Sequence, residues 1–152
     1  MKLLVLFLLV LSLSACISVN TLEDLKSDST VSAVYSSNSS FTELESNVYK
    51  YIHQCYRTQA SKVKMNGTAL GGAIYSINKL QKEDGVDFVV KQWIRGGYFH
   101  DSGYHHFLLF SLKQGKEINK YPTVQVHSKV MFNTETIFEN VEKTTQGKMA
   151  KC

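Results

Sequence analysis

Residues 73–95, AIYSINKLQKEDGVDFVVKQWIR, decide the fold. Apolar and polar residues alternate on both sides of Asp84-Gly85, and a period of two is typical of a β-strand with one buried face. Asp-Gly between two such runs is a strong hairpin signal, because glycine tolerates the positive φ that tight hairpin turns need. We therefore predict two antiparallel strands over residues 73–81 and 86–95.

Two further strands are predicted downstream, over residues 104–113 and 123–132. The connections between the four strands are too short to contain crossover helices, so the sheet is predicted to be an antiparallel meander.

Helical periodicity flanks the predicted sheet on both sides. Ser40 and Glu43 match a capping box, and apolar residues then recur at three- and four-residue spacing. We predict one helix over residues 41–57 and a second over residues 135–145. The predicted fold class is α+β, with an N-terminal helix, a four-stranded antiparallel meander sheet and a C-terminal helix.

The start of the chain has the layout of an export signal. Lys2 supplies a positive charge, residues 3–11 are uninterrupted apolar, and small residues follow. An apolar run of this length is too short to span a hydrocarbon core of about 30 Å, which requires about 20 residues.

Leu13-Ser14-Ala15-Cys16 resembles the lipobox of bacterial lipoproteins, in which a leucine and two small residues precede the modified cysteine. The resemblance implies that residues 1–15 are a cleaved signal peptide and that Cys16 carries acyl chains such as palmitate, which anchor the protein in a membrane. Ile17 replaces the aspartate that would imply inner-membrane retention, so the resemblance favours the outer membrane, facing the periplasm, in a host that has one. The alternative is an ordinary secreted protein with an accidental cysteine.

Serine, threonine and asparagine dominate the segment that follows the lipobox. Such a composition buries too little apolar surface to offset the entropy of ordering the chain. We therefore expect residues 16–40 to form a flexible tether behind the acylated cysteine, and residues 41–152 to form a single globular α+β domain.

The chain contains 3 cysteines, so acylation of Cys16 would leave Cys55 and Cys152. Exported proteins meet an oxidising compartment, and the remaining pair is therefore predicted to form a disulfide that ties the C-terminus to the first helix. The alternative is a buried, reduced Cys55, with Cys152 available for intermolecular pairing.

Histidine offers the main hint of site chemistry. His100, Asp101 and His106, with His105 as an alternative to His106, lie where the second strand gives way to the third, and they are suitable ligands for zinc or copper. Adjacent strand residues point to opposite faces, so His105 and His106 cannot both ligate from a regular strand, and the spacing matches no zinc motif. A metal-binding periplasmic protein is the alternative function.

Other chemistry is not indicated by the sequence. We find no activated nucleophile, no paired carboxylates and no phosphate-binding glycine loop, so we predict neither enzyme activity nor a cofactor. The net charge is +4 and the basic residues are scattered, which predicts no nucleic-acid binding.

Four apolar residues are predicted to share the second face of the sheet: Val89, Trp93, Phe107 and Leu109. Lys91 and Arg95 lie on the same side, so this face is mixed in character. Either the C-terminal helix covers it, or it is an exposed patch that docks a partner protein or an apolar ligand. The leading hypothesis is a membrane-anchored envelope lipoprotein that acts as a non-enzymatic binding or assembly module for an envelope protein.

Overall fold

The structure is a computed structural model that describes residues 21–56, 64–65, 68–69, 73–94, 102–116, 121–130, 133–150 and 152. The helices are α1 (Leu22–Ser27), α2 (Phe41–Cys55) and α3 (Thr134–Thr145). The strands are β1 (Thr30–Val31), β2 (Tyr35–Ser36), β3 (Lys64–Met65), β4 (Thr68–Ala69), β5 (Tyr75–Lys82), β6 (Gly85–Ile94), β7 (Gly103–Lys113) and β8 (Thr123–Ser128).

A six-stranded antiparallel sheet lies at the centre of the fold, in the order β1-β8-β7-β6-β5, with β2 also paired to β8. Strands β3 and β4 pair separately as a two-stranded sheet. The predicted architecture of one N-terminal helix, a four-stranded meander and a C-terminal helix is therefore wrong. It omits a helix and two sheet strands that precede α2, because those elements are too short and too polar to show a clear period.

The hairpin between β5 and β6 turns at Glu83 and Asp84, since Lys82 pairs with Gly85. Gly85 does not have a positive φ. A Cβ at this position would lie 1.9 Å from the Leu112 carbonyl oxygen, so glycine is required by the close approach of β7. The Asp84-Gly85 signal therefore located the hairpin correctly, but glycine is needed for space beside β7 and not for a positive φ.

The main core lies between one face of the sheet and two helices. Helix α2 begins at Ser40, whose hydroxyl accepts a hydrogen bond from the Glu43 amide at 3.2 Å. It packs beside α3 on the sheet, and the core consists mainly of fully or nearly fully buried residues from both helices and from strands β6, β7 and β8. The central members are Leu44, Val48, Ile52, Val86, Phe88, Val90, Leu108, Phe110, Leu112, Val124, Val126, Ile137 and Val141.

The described part of the predicted tether, residues 21–40, is structured. The Thr21 hydroxyl accepts from the Asp24 amide, and the Asp24 carboxylate accepts from the Thr21 amide, each at 3.1 Å, which is a complete capping box at the start of α1. Leu25 is 0% exposed and forms a second small core with Val89 and Leu109. The average composition of the segment predicted disorder because it gave no weight to the position of Leu25. The sheet supplies the other apolar residues of this small core.

Serine side chains attach this segment to the edge of β8. The Ser32 amide donates to the Val126 carbonyl, and the Ser32 hydroxyl accepts from the Val126 amide, both at 2.9 Å. Ser32 lies between the pairs Val31–His127 and Tyr35–Val124, where the segment contains one more residue than β8. The serine hydroxyl therefore substitutes for a backbone carbonyl at this irregularity, so that the β8 ladder remains satisfied.

Cys55 and Cys152 form a disulfide, which confirms the predicted pairing. The bond joins the last residue of α2 to the last residue of the chain across a sequence separation of 97. Closing a loop of this size contributes about 4–5 kcal/mol in the chain-entropy account of disulfides.

We predict that Leu25→Ala lowers the free energy of unfolding by about 2–4 kcal/mol, because it leaves a cavity between α1 and the sheet. The matched control is Val34→Ala in the same segment, which should change stability by less than about 0.5 kcal/mol because Val34 is 58% exposed. Urea denaturation of both variants provides the measurement. Equal and negligible effects would show that the segment does not contribute to the fold.

Candidate functional site

The second face of the sheet is partly covered by α1, which contacts β7 and β8. Beneath Leu25, Val89 is 2% exposed and Leu109 is 0% exposed. The C-terminal helix α3 instead packs on the main-core face through Ile137 and Val141. Two members of the predicted patch therefore lie together in the interior, and the helix that covers them is not the one expected.

Phe107 lies on the opposite side from the other predicted patch residues, because β7 is bulged. Val90 pairs with Leu108, but the next residue, Lys91, pairs with His106, so Phe107 is extra in the ladder. A bulge redirects the side chains around it. The Phe107 ring lies 5.8 Å from the Tyr75 ring, centroid to centroid, and packs against the main core.

Trp93 remains on the second face. Tyr75 and Ile77 of β5 pack against the main core opposite Gln92 and Val90, and side chains alternate along β6, so Trp93 points to the other side. Its side chain is 41% exposed. The predicted four-residue patch therefore resolves into a buried pair, a main-core residue and one exposed tryptophan.

Tyr104 is the neighbour of Trp93 that the sequence did not reveal. It pairs directly with Trp93 across the β6–β7 ladder, and the two ring centroids lie 5.1 Å apart in an edge-to-face arrangement. Tyr104 is 45% exposed. Simple alternation from Leu108 places Tyr104 on the main-core face, and only the bulge at Phe107 moves it beside the tryptophan. We call Trp93 and Tyr104 the aromatic pair.

The structure describes only some of the predicted metal ligands. His100 and Asp101 lie outside the described residues, whereas His106 pairs with Lys91, and His105 pairs with Gln92 on the opposite face. Among the described residues, no group of three or more histidine, cysteine or acidic side chains is arranged to hold a metal ion. The metal site stays a prediction.

The second face also contains a contact between a serine and a histidine that the sequence pattern did not indicate. Ser29 Oγ lies 3.2 Å from His127 Nδ1, and the two residues are far apart in sequence. Asp87 influences His127 electrostatically, but its carboxylate forms an ion pair with Lys82 at 2.5 Å. In the described part of the chain no carboxylate is hydrogen-bonded to His127, so the third member of a catalytic triad is not in place. The contact instead attaches Ser29, which immediately precedes β1, to strand β8.

Burial lowers the pKa of His127 below its ordinary 6.5, and the charge of Lys26 on α1 lowers it further, while Asp87 acts in the opposite direction. A neutral imidazole is therefore favoured beneath the N-terminal segment.

A shallow cleft lies between α2 and the C-terminal tail, with Asn47, Lys50, Gln54 and Met149 among its lining residues. Its volume of about 150 Å³ is smaller than the roughly 300–1,000 Å³ of typical small-molecule sites. This cleft therefore does not suit a drug-sized ligand.

No family model matches the chain, and comparisons with curated proteins and with solved structures gave no match. In the described ranges, none of the helices has the length and apolar character needed to cross a bilayer.

We predict that the free energy of unfolding decreases as pH falls through about 6.5, because the unfolded chain then binds a proton that the folded His127 resists. His127→Gln should remove this component of the pH dependence. The matched control is His53→Gln, a change at an exposed position on α2, which should leave the His127 component in place. Urea titrations between pH 5 and 8 measure the effect, and an unchanged pH profile in His127→Gln would contradict it.

Proposed function

We propose that the chain is the precursor of an acyl-anchored envelope lipoprotein whose folded domain is a non-enzymatic binding module. The aromatic pair carries the binding half of this proposal. Its neighbours Val89 and Leu109 are covered by α1, whereas Trp93 and Tyr104 stay 41% and 45% exposed. Tryptophan and tyrosine are enriched at the centres of binding surfaces because they combine a large apolar area with a polar group.

The anchoring half of the proposal rests on the lipobox resemblance at Leu13-Ser14-Ala15-Cys16. The Cys55–Cys152 disulfide supports it, because such bonds persist in the oxidising compartments that exported proteins enter. An acylated Cys16 would locate the domain at a membrane surface of the envelope. By the resemblance, Ile17 favours the outer membrane with the domain facing the periplasm.

Several acyl chains on one cysteine make such an anchor durable. Each buried methylene contributes about 0.8 kcal/mol, so two or three chains bind far more firmly than one. A binding surface on the domain then needs little affinity of its own, because the anchor keeps its target at high effective concentration. A small aromatic pair is sufficient under those conditions.

We predict that Cys16→Ser blocks acylation, so that the protein accumulates as an uncleaved or mislocalised precursor. Intact-mass analysis and membrane fractionation provide the measurement. The matched control is the double variant Cys55→Ser and Cys152→Ser, which removes the disulfide and should leave acylation and membrane localisation intact. A Cys16→Ser protein that still matures and remains in the membrane fraction would contradict the proposal.

A further inference from the structure

We propose that the aromatic pair is a membrane-contact site, at which Trp93 and Tyr104 rest in the interfacial layer of the bilayer that holds Cys16. This inference deepens the proposed function and rests on the acylation of Cys16. It identifies the target of the exposed rings as a lipid surface.

The length of chain between the anchor and the fold limits how far the domain can move from the membrane. Helix α1 is capped at Thr21, five residues after Cys16. Five residues span at most about 18 Å when fully extended. The start of α1 must therefore stay within about that distance of the acylated cysteine, whereas a tether reaching residue 40 would have allowed the domain to move much further away.

The orientation of the domain follows from the face of the sheet on which α1 lies. Helix α1 lies on the second face of the sheet, and Trp93 and Tyr104 lie on that same face. Helices α2 and α3 lie on the opposite face. A helix is about 10–12 Å across with its side chains, so a chain of at most about 18 Å reaches beyond one helix layer but not past the sheet to the far side of α2 and α3. The anchor therefore turns the second face toward the bilayer.

The exposed side chains of the second face have the chemistry of membrane-interface residues. Trp93 and Tyr104 have apolar rings with a polar N–H or O–H group, and such side chains prefer the boundary between headgroups and acyl chains. Leu80 of β5 is 43% exposed and pairs with Asp87, which places it on the same face. Asp87 itself is 1% exposed and is neutralised by Lys82, so its carboxylate does not repel lipid phosphates.

The size of the exposed surface favours a bilayer over a protein partner. A stable protein interface buries more than about 1,000 Å² in total, whereas a whole aromatic side chain buries only about 150–250 Å². Trp93 and Tyr104 are each less than half exposed. Two such rings are adequate to orient a domain that is already anchored.

Trp93 is the only tryptophan in the chain, so its fluorescence reports on this site alone. The mature acylated protein is reconstituted into phosphatidylcholine vesicles, with and without lipids brominated near the ester end of their acyl chains. In both kinds of vesicle, we expect Trp93 to emit at shorter wavelength than a tryptophan exposed to water. Its emission should be weaker in the brominated vesicles than in the unbrominated ones.

The matched control moves the tryptophan to the other side of the sheet by combining Trp93→Phe with Tyr49→Trp. Tyr49 is 46% exposed, close to the 41% of Trp93, but it lies on α2. Emission from the relocated tryptophan should be unchanged by brominated lipids.

The outcomes separate the inference from the function on which it rests. If the protein floats with the vesicles but Trp93 emission is not quenched, the membrane-contact site is wrong and the anchoring stands. Equal quenching of Trp93 and of the control would also overturn the inference, because no face would be oriented toward the lipid. A protein that does not float with the vesicles would overturn both.

Discussion

The reciprocal hydrogen bonds between Ser32 and Val126 are the contact on which the rest of the arrangement depends. They attach the N-terminal segment to β8, which would otherwise present an unpaired edge. Because the segment is held there, α1 lies across β7 and β8, and Leu25 fills the space above Val89 and Leu109. Because α1 is capped at Thr21, the same attachment determines both the packing of the second face and the distance from the domain to the proposed anchor.

The bulge at Phe107 divides the aromatic residues between two environments. On the main-core side, Phe107 joins Tyr56 and Tyr75, and burial raises the pKa of the Tyr56 hydroxyl well above its ordinary value. On the other side, Tyr104 comes to lie against Trp93 and both stay accessible. One extra residue in a strand therefore places one ring in the core and another at the surface. Bulges frequently redirect side chains near functional sites.

The sequence revealed the parts of this structure that depend on regular periods and failed where a single residue changes the pattern. The alternation around Asp84-Gly85 and the apolar runs beyond it located the region of β5 to β8, and counting cysteines was enough to pair Cys55 with Cys152. The serine-rich segment was missed because its order comes from hydrogen bonds to β8 and from Leu25, which averages of composition do not detect. Phe107 was assigned to the wrong face, and Tyr104 was not recognised as the neighbour of Trp93, because a bulge leaves no signal in an apolar pattern.

Hydrogen exchange at the Ser32 and Ser37 amides tests the central claim, the attachment of the N-terminal segment to β8, most directly. These amides donate to the carbonyls of Val126 and Pro122, each at 2.9 Å. The account predicts that both are strongly protected and that Ser32 approaches the protection of core amides in β7, because its hydrogen bonds break only when the β8 edge opens. If both amides exchange at the rate of an unstructured chain while β7 stays protected, the segment is not attached to β8. The second face of the sheet would then have no reason to be oriented toward the membrane.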